Sequence, residues 1–197
     1  MEYLYLFFTA ALTALAVENA IFARSLGLSK MVLTINRPQT GILYGALLTW
    51  MVTLSSMLVV VVNRLMEGVP GATLLSMPGY LLCVCVVFVG TYFITKYKFP
   101  GIFVLIRLQL PVSTFNSALF GAFYVSAIQN FGFFQTVGYA LGTGVGYTLA
   151  ILIIYYARKR LAISPVPRSF RGLPVLMVYI GLLSLAIYGL IGHGLPS

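Results

Sequence analysis

The stretch LPVSTFNSALFG, residues 110–121, carries the most polar cluster of a long apolar run. Four polar side chains fall within five residues, shortly after Pro111: Ser113, Thr114, Asn116 and Ser117. Proline removes a backbone donor and blocks one helical hydrogen bond. In hydrocarbon, the backbone groups freed in this way need polar partners nearby. The stretch therefore predicts a helix that is interrupted inside a membrane span.

The composition of the whole chain is that of a polytopic membrane protein. Of its 197 residues, 60% are hydrophobic and 8% are charged, whereas soluble domains carry about 25% charged residues. A helix needs about 20 apolar residues to cross the hydrocarbon core. Runs of this length predict an all-α fold with six transmembrane helices: 3–23, 41–63, 73–95, 101–125, 132–157 and 173–193.

The basic residues predict the orientation of these spans. The first, third and fifth connections hold ten of the twelve Lys and Arg residues. Cytoplasmic loops carry an excess of Lys and Arg, so we expect both termini outside and the connection 158–171 in the cytoplasm. The net charge of +9 is then a topology signal, and we expect no nucleic-acid partner.

Six spans with both ends on one side divide into two halves of three spans. Because each half has an odd number of spans, the halves have opposite orientations, as an inverted repeat requires. We place the halves at residues 1–99 and 100–197. The first span of each half holds an intramembrane asparagine, Asn19 or Asn116, followed by small and apolar residues. The prediction is an inverted 3+3 repeat whose first and fourth helices are interrupted, near Gly27 and Pro111.

Glu18 is the one acidic residue well inside an apolar run. A charge at such a depth costs about 2.5–3.5 kcal/mol on insertion scales, so we expect Glu18 to be neutral, paired or facing a polar cavity. Arg24 is a candidate partner, although a separation of six residues does not place the two on one helix face. Glu18, Asn19, Thr114 and Asn116 are candidates for a polar pathway. Bonding between helices and satisfying a helix break are their alternative roles.

Two other motifs are interpreted as packing features. Cys83 and Cys85 lie two residues apart, which places their side chains on opposite sides of a helix. We therefore expect neither a disulfide nor a shared metal, but two small apolar side chains. The run GTGVG, residues 142–146, superficially suggests a dinucleotide motif. Because it lies inside a membrane span, a small-residue face for close helix packing is the better interpretation.

Three longer stretches resemble one family of membrane subunits. They are VENAIFARSLGLS (residues 17–29), GIFVLIRLQLPVSTFNSALFG (101–121) and the stretch from 137 to 192, with its RxxLxxxxVPxxFRG pattern at 158–172. These stretches resemble the Rnf/Nqr integral membrane subunits, in particular the RnfA and NqrE type. The resemblance covers nearly the full chain and is weakest between about residues 31 and 99.

The resemblance implies a fold, a function and partners. Members of this family have six spans in an inverted 3+3 repeat and are surrounded by membrane lipid. They pair with a homologous subunit of opposite topology, of the RnfE or NqrD type. The pair holds a [2Fe–2S] cluster and passes electrons in a complex that moves Na⁺ or H⁺ across the bacterial or archaeal cytoplasmic membrane. The implied role is a non-catalytic subunit of a redox-driven, ion-translocating oxidoreductase.

The sequence departs from the family at the two positions where the resemblance implies cluster cysteines. Ser29 and Ser117 occupy these positions, and a thiolate is the normal ligand of such clusters. We therefore expect that this chain supplies no iron–sulfur ligand and that the cluster site is lost or altered. Two alternatives use the same scaffold: a small ion or solute permease lined by the central polar groups, and a non-redox scaffold paralogue.

Overall fold

A computed structural model of the chain describes residues 2–29, 38–66, 72–165 and 167–191. Within these ranges the chain forms helices and turns and no strand. The α-helices are α1 (Glu2–Leu12), α2 (Pro38–Met66), α3 (Ala72–Lys98), α4 (Pro100–Ile106), α5 (Gln109–Thr114), α6 (Ser117–Ile128), α7 (Phe133–Ile163) and α8 (Leu173–Ile191). The basic residues Lys30 and Arg37 of the first connection, residues 67–71 of the second and the tail with His193 lie outside the described residues.

Most of the predicted spans correspond to long apolar helices. In the part of the chain that the structure describes, α2, α3, α7 and α8 are long and apolar enough to cross a membrane. The pair formed by α4 and the segment Gln109–Ile128 is bent by 60° and makes a fifth candidate span. An all-helical membrane protein with four or five such spans is therefore confirmed, while the sixth span and the repeat stay predictions.

The first predicted span, 3–23, does not form one continuous helix. A shorter apolar helix covers Glu2–Val17, and it ends at Glu18, whose φ of −105° and ψ of 41° are not helical. The helix thus ends ten residues before Gly27, where the sequence predicts the break. The apolar run continues to residue 23, but in turns, because a run of apolar residues does not distinguish a helix from a buried turn.

Helix α7 packs closely against α1 because its glycines leave room for the backbone of α1. A Cβ atom added at either of two α7 glycines would meet the α1 backbone, Gly138 at Phe7 and Gly142 at Ala11. A Cβ at Gly146 would meet the backbone of Leu15, in the π-helical turn Thr13–Val17 that continues α1. The numbers of the paired residues rise together, so α1 and α7 run parallel. The predicted small-residue packing face at 142–146 is confirmed, since glycine permits this backbone approach.

Two copies of one short motif form the crossing of α2 and α7. In α2 the Thr49 hydroxyl donates to the Gly45 carbonyl at 2.7 Å, and in α7 the Thr148 hydroxyl donates to the Gly144 carbonyl at 2.8 Å. A Cβ at Gly45 would meet the Thr148 side chain, and a Cβ at Gly144 would meet Thr49. The order is reversed between the helices, so α2 and α7 are antiparallel. The two motifs lie 99 positions apart in the sequence.

Helices α3 and α8 present a largely apolar outer surface. Large side chains such as Leu82 on α3 and Leu185 on α8 are exposed, as expected of a surface that faces lipid or another membrane subunit. Cys83 and Cys85 lie within α3, where Cys83 is buried and Cys85 half-buried. Their spacing on one helix gives the two side chains different directions, as the sequence predicts.

Candidate functional site at two helix breaks

The first helix break begins at Glu18, directly after the π-helical turn Thr13–Val17. Asn19 follows, and its side chain replaces the bonds that the helix loses. Its Oδ1 accepts from the Ile21 N–H at 3.0 Å, and its Nδ2 donates to the Gly146 carbonyl of α7 at 3.0 Å. Asn19 therefore both satisfies the interrupted backbone and attaches the break to the neighbouring helix.

The second break separates α5 from α6 at Phe115 and Asn116. Phe115 has φ of −87° and ψ of 57°, close to the values of Glu18. Asn116 is extended, with φ of −110° and ψ of 137°, and its Oδ1 accepts from the Ala118 N–H at 3.1 Å. Each break is thus formed by a non-helical residue followed by an asparagine that bonds to the N–H two residues later.

Pro111 explains a different interruption of the same segment. It lies in the first turn of α5, where a missing N–H costs no helical bond. Its ring clashes with the carbonyl four residues earlier, at Arg107, and the turn between α4 and α5 at Arg107 and Leu108 lies there. The predicted interruption is therefore present, but the break beside the polar cluster begins later, at Phe115.

One hydrogen-bond network joins the two breaks. The Gly27 N–H donates to Ser117 Oγ at 2.8 Å, and the Gly27 carbonyl accepts from the Tyr147 hydroxyl at 2.8 Å. Asn116 Nδ2 donates to the Tyr147 hydroxyl at 3.0 Å and to the Tyr44 hydroxyl at 2.8 Å. The chain segment that follows the first break is therefore held against the second break by side chains from α6 and α7.

Glycine is required at position 27 for two reasons. Its φ is +73°, a conformation that residues with a Cβ rarely adopt. A Cβ there would lie 2.6 Å from the Tyr147 hydroxyl and would overlap the Asn116 side chain. Gly27 therefore allows the close contact between the two breaks, although the first helix has already ended at Val17.

The other predicted polar residues of the cluster bond mainly within their own helix. Thr114 and Ser113 are buried, and their hydroxyls donate to the Leu110 carbonyl at 2.7 and 3.0 Å. Such back-bonds to a carbonyl three or four residues earlier are common for Ser and Thr within a helix. Ser29 and Ser117 are both exposed, and Ser117 contacts the first break through Gly27. The Thr114 hydroxyl is thus engaged within α5, and its role in a pathway or at the break stays a prediction.

Glu18 is paired in the structure. Its Oε2 lies 2.9 Å from Arg24 Nη2 and accepts from the Tyr139 hydroxyl at 2.6 Å, while Gln129 Nε2 lies 3.5 Å from Oε1, at the limit of a hydrogen bond. Arg24 reaches Glu18 because the chain between them is not helical. The spacing of six residues, which would separate the two side chains on a helix, therefore does not prevent the pair. Tyr139 and Gln129 are not indicated by the sequence, since both are more than 100 residues away.

The residues of this chain do not fit the iron–sulfur cluster that the family resemblance implies. Ser29 and Ser117 offer hydroxyls where a cluster needs thiolates, and Ser117 Oγ already accepts the Gly27 N–H. Cys83 and Cys85 lie on α3, two residues apart.

Long apolar helices surround two broken helices, and buried polar side chains join the two breaks. This arrangement defines a multi-pass membrane protein of the broken-helix type. The family model for the Rnf-Nqr subunit, membrane protein, matches residues 7–193. This chain therefore belongs to the Rnf-Nqr family of membrane subunits.

Individual relatives cover the chain almost from end to end. One is the A subunit of the ion-translocating oxidoreductase complex of Yersinia enterocolitica, which is 29% identical over 191 residues, or 97% of each chain. The protein of the same name from Vibrio atlanticus is 29% identical over 176 residues, 89% of this chain and 92% of its own. The similarity thus includes both helix breaks and the helices around them.

Proposed function

We propose that this chain is an RnfA/NqrE-type membrane subunit of an ion-translocating oxidoreductase complex, with a lost or altered [2Fe–2S] site. The nearly full-length similarity to proteins named as subunits of such a complex supports the first part. The contact between Gly27 and Ser117 carries the second part. It gives the Ser117 oxygen a bond to the first break, at a position where the resemblance implies a cluster ligand. In this proposal the chain itself is a non-catalytic subunit.

The proposal includes an inverted repeat of six spans, with halves at 1–99 and 100–197. Two pairs of features support it. Asn19 and Asn116 bond to the N–H two residues later in equivalent breaks, and the antiparallel crossing of α2 and α7 uses equivalent Gly-x-x-x-Thr motifs. Helix α7 of the second half runs parallel to α1 and antiparallel to α2. These directions are expected when the two halves have opposite orientations in the membrane.

The proposed partner is a homologous subunit of opposite topology in the cytoplasmic membrane. For this chain the proposal places both termini outside. Its support is the position of the basic residues, since Lys96 and Lys98 lie at the end of α3 and Arg160 at the end of α7. By the positive-inside rule these ends are cytoplasmic.

Labelling of single cysteines tests this topology. In a background without Cys83 and Cys85, a cysteine at position 164 should be protected from a membrane-impermeant reagent added outside, and one at position 197 should react. The complex should be isolated from the same cells through a tag on this chain. Cytoplasmic labelling of position 197 would overturn the proposed orientation, and isolation without a homologous partner would contradict the proposed pairing.

Iron analysis tests the altered cluster site. The wild-type chain, purified with its partner, is compared with the double variant Ser29→Cys and Ser117→Cys by iron per chain and by electron paramagnetic resonance after reduction. We expect no iron that depends on this chain in the wild type and a gain in the double variant. A matched control, Ser113→Cys with Ser126→Cys, adds two thiols elsewhere and should gain no signal. Stoichiometric wild-type iron that is lost on Ser117→Ala would contradict the proposal.

A small ion permease on the same scaffold is the second candidate function. It is favoured by the pair of Glu18 and Arg24, which lies beside a cavity of about 420 Å³. Proteoliposomes that contain this chain alone discriminate the two functions. Ion flux without any other subunit would favour the permease, whereas absence of flux and copurification with the other subunits would favour the complex.

A further inference from the structure

Glu18 occupies an unusual position in a membrane helix. It directly follows a π-helical turn, a feature that occurs frequently at functional sites. Its side chain is 24% exposed and that of Arg24 is 38% exposed, although the surrounding sequence is apolar. An ionisable side chain within a membrane segment is expensive and commonly marks an ion pathway. The position therefore requires an explanation beyond helix packing.

The pair opens into a cavity that an ion can enter. The cavity has a volume of about 420 Å³ and lies between the first break and α8, with Glu18 and Arg24 on one side and Ser184 and Tyr188 on the other. A water molecule occupies about 30 Å³ in the liquid, so there is space for an ion together with several waters. The carboxylate can therefore be reached without unfolding the helices around it.

The groups around Glu18 suit a small cation. Tyr139 places its oxygen 2.6 Å from the carboxylate, and the Gln129 side chain, 3.5 Å away, can present its amide oxygen after a rotation. Ser184 adds a hydroxyl at the cavity wall. The C-terminal end of a helix carries a partial negative charge, and such ends of broken helices coordinate Na⁺ or H⁺ in transporters.

Arg24 is bound in a way that permits its displacement. It contacts Glu18 through one nitrogen at 2.9 Å, whereas the strong guanidinium–carboxylate pairs are bidentate. It comes from a turn rather than a helix, so its side chain can move away without breaking a helical hydrogen bond. A monovalent cation that replaces Arg24 leaves the charge of the site unchanged, so the exchange avoids an unpaired carboxylate in the membrane.

We propose that Glu18 is the carboxylate of a site for one monovalent cation, Na⁺ or H⁺, and that Arg24 occupies this carboxylate when the cation is absent. The role of this site rests on the proposed function, because an ion-translocating complex requires groups that bind and release ions. Among the residues that the structure describes, the titratable and charged groups around Glu18 are Arg24 from its own segment, Tyr139 from α7 and Tyr188 of α8 across the cavity.

Unfolding of the full chain in lipid nanodiscs tests this site. The unfolding temperature is measured while Na⁺ replaces choline at constant ionic strength, at several pH values. For Na⁺ we expect a saturable rise that Glu18→Gln abolishes. Arg24→Gln should lower the half-saturating Na⁺ concentration at least about tenfold, because it removes the internal competitor; this corresponds to about 1.4 kcal/mol. Glu2→Gln, which changes an exposed carboxylate near the start of α1, is the matched control and should behave as wild type.

The same experiment distinguishes a proton from Na⁺. If the ion is H⁺, Na⁺ has no effect, but stability depends on pH in a way that Glu18→Gln removes. Arg24→Gln should then change this pH dependence, because it removes the group that competes with the proton for the carboxylate. Should Glu18→Gln fail to fold, Tyr139→Phe replaces it and should weaken the response several-fold.

Three results would overturn the inference. The first is a wild-type chain whose unfolding temperature responds to neither ion, and the second is a response that survives Glu18→Gln. The third is an Arg24→Gln variant with the same ion dependence as the wild type, which would identify a purely structural ion pair. None of these results depends on assembly of the complex. Copurification with partner subunits, measured separately, reports failure of the proposed function.

Discussion

The break at Glu18 and the break at Phe115 begin with similar backbone angles, φ −105° and ψ 41° against φ −87° and ψ 57°. The residues at these positions differ in chemistry. Glu18 pairs with Arg24 beside a cavity, whereas the Phe115 ring packs 5.7 Å from that of Phe88. The scaffold therefore requires the break itself, while the residue before the asparagine gives each break its chemistry.

The two asparagines show a second difference. The Nδ2 group of Asn19 donates to two backbone carbonyls, those of Leu15 and Gly146. The Nδ2 group of Asn116 donates to two hydroxyls, those of Tyr44 and Tyr147. A carbonyl can only accept, but a hydroxyl can rotate and donate. Tyr147 already donates to the Gly27 carbonyl at 2.8 Å, but Tyr44 donates only at 3.3 Å to the Val112 carbonyl and can turn toward position 116. The partners of the Asn19 amide thus cannot become donors, whereas one partner of the Asn116 amide can.

Gly27→Ala should have the strongest effect, and it tests whether the two breaks must touch. We expect a loss of about 2–5 kcal/mol in the free energy of unfolding, from a strained positive φ and from overlap with Asn116. SDS-induced unfolding in mixed micelles measures it. Gly172→Ala is the matched control, since Gly172 has φ +90° but open space around it, so only the strain of about 1–2 kcal/mol remains. Equal losses would show that the contact is unimportant.

The difference between the two asparagines is tested by replacing each with aspartate. Both variants bury a carboxylate, so that cost is common to them. Asn19→Asp turns an oxygen toward the carbonyls of Leu15 and Gly146, which cannot donate. Asn116→Asp meets the Tyr44 hydroxyl, which can give up its 3.3 Å bond to the Val112 carbonyl and donate to the new oxygen. We expect Asn19→Asp to lose about 2 kcal/mol more than Asn116→Asp, the cost of a donor exchanged for an unpaired acceptor. Thermal unfolding in nanodiscs measures the difference, and the reverse order would refute the assignment of the two amides.

Tyr147→Phe tests the hydroxyl that links Gly27 to Asn116. The variant leaves the Gly27 carbonyl and one N–H of Asn116 without this partner, and we expect a loss of about 1 kcal/mol, as for hydrogen bonds inside other membrane proteins. The same unfolding assay applies. Tyr156→Phe on the same helix is the control, because its side chain is 59% exposed. A Tyr147→Phe variant as stable as this control would remove the hydroxyl from the network.

Ser117→Ala should have the weakest effect of the four. It removes the acceptor of the Gly27 N–H and should cost about 0.5 kcal/mol, the low end for one hydrogen bond, because Ser117 is exposed. Ser113→Ala provides the control, because its hydroxyl bonds only to the Leu110 carbonyl of its own helix, and such bonds add little. Chemical unfolding of both variants in one lipid mixture would show the difference. A larger loss for Ser113→Ala would mean that the serine hydroxyls support the break in another way.

The sequence predicts α2, α3, α7 and α8 well, because each is a long apolar run with turn residues or charges at its ends. It also predicts the close packing at Gly142 and Gly144, since small residues in a membrane helix have few other uses. It places the end of the first helix too late, because hydrophobicity continues through Ile21 and Phe22. The roles of Tyr44 and Tyr147 are missed entirely, since an aromatic residue in an apolar run usually indicates only packing.

Hydrophobicity and charge along the sequence are enough to identify a helical membrane protein and to mark Glu18, Asn19 and Asn116 as its unusual residues. These conclusions depend on the length of apolar runs and on the cost of polar groups in lipid, which are local properties. The pairing of Arg24 with Glu18, and the bond from Gly27 to Ser117 across 90 residues, emerge only in the folded chain. Such contacts depend on how the broken helices pack, and packing is a property of the whole chain.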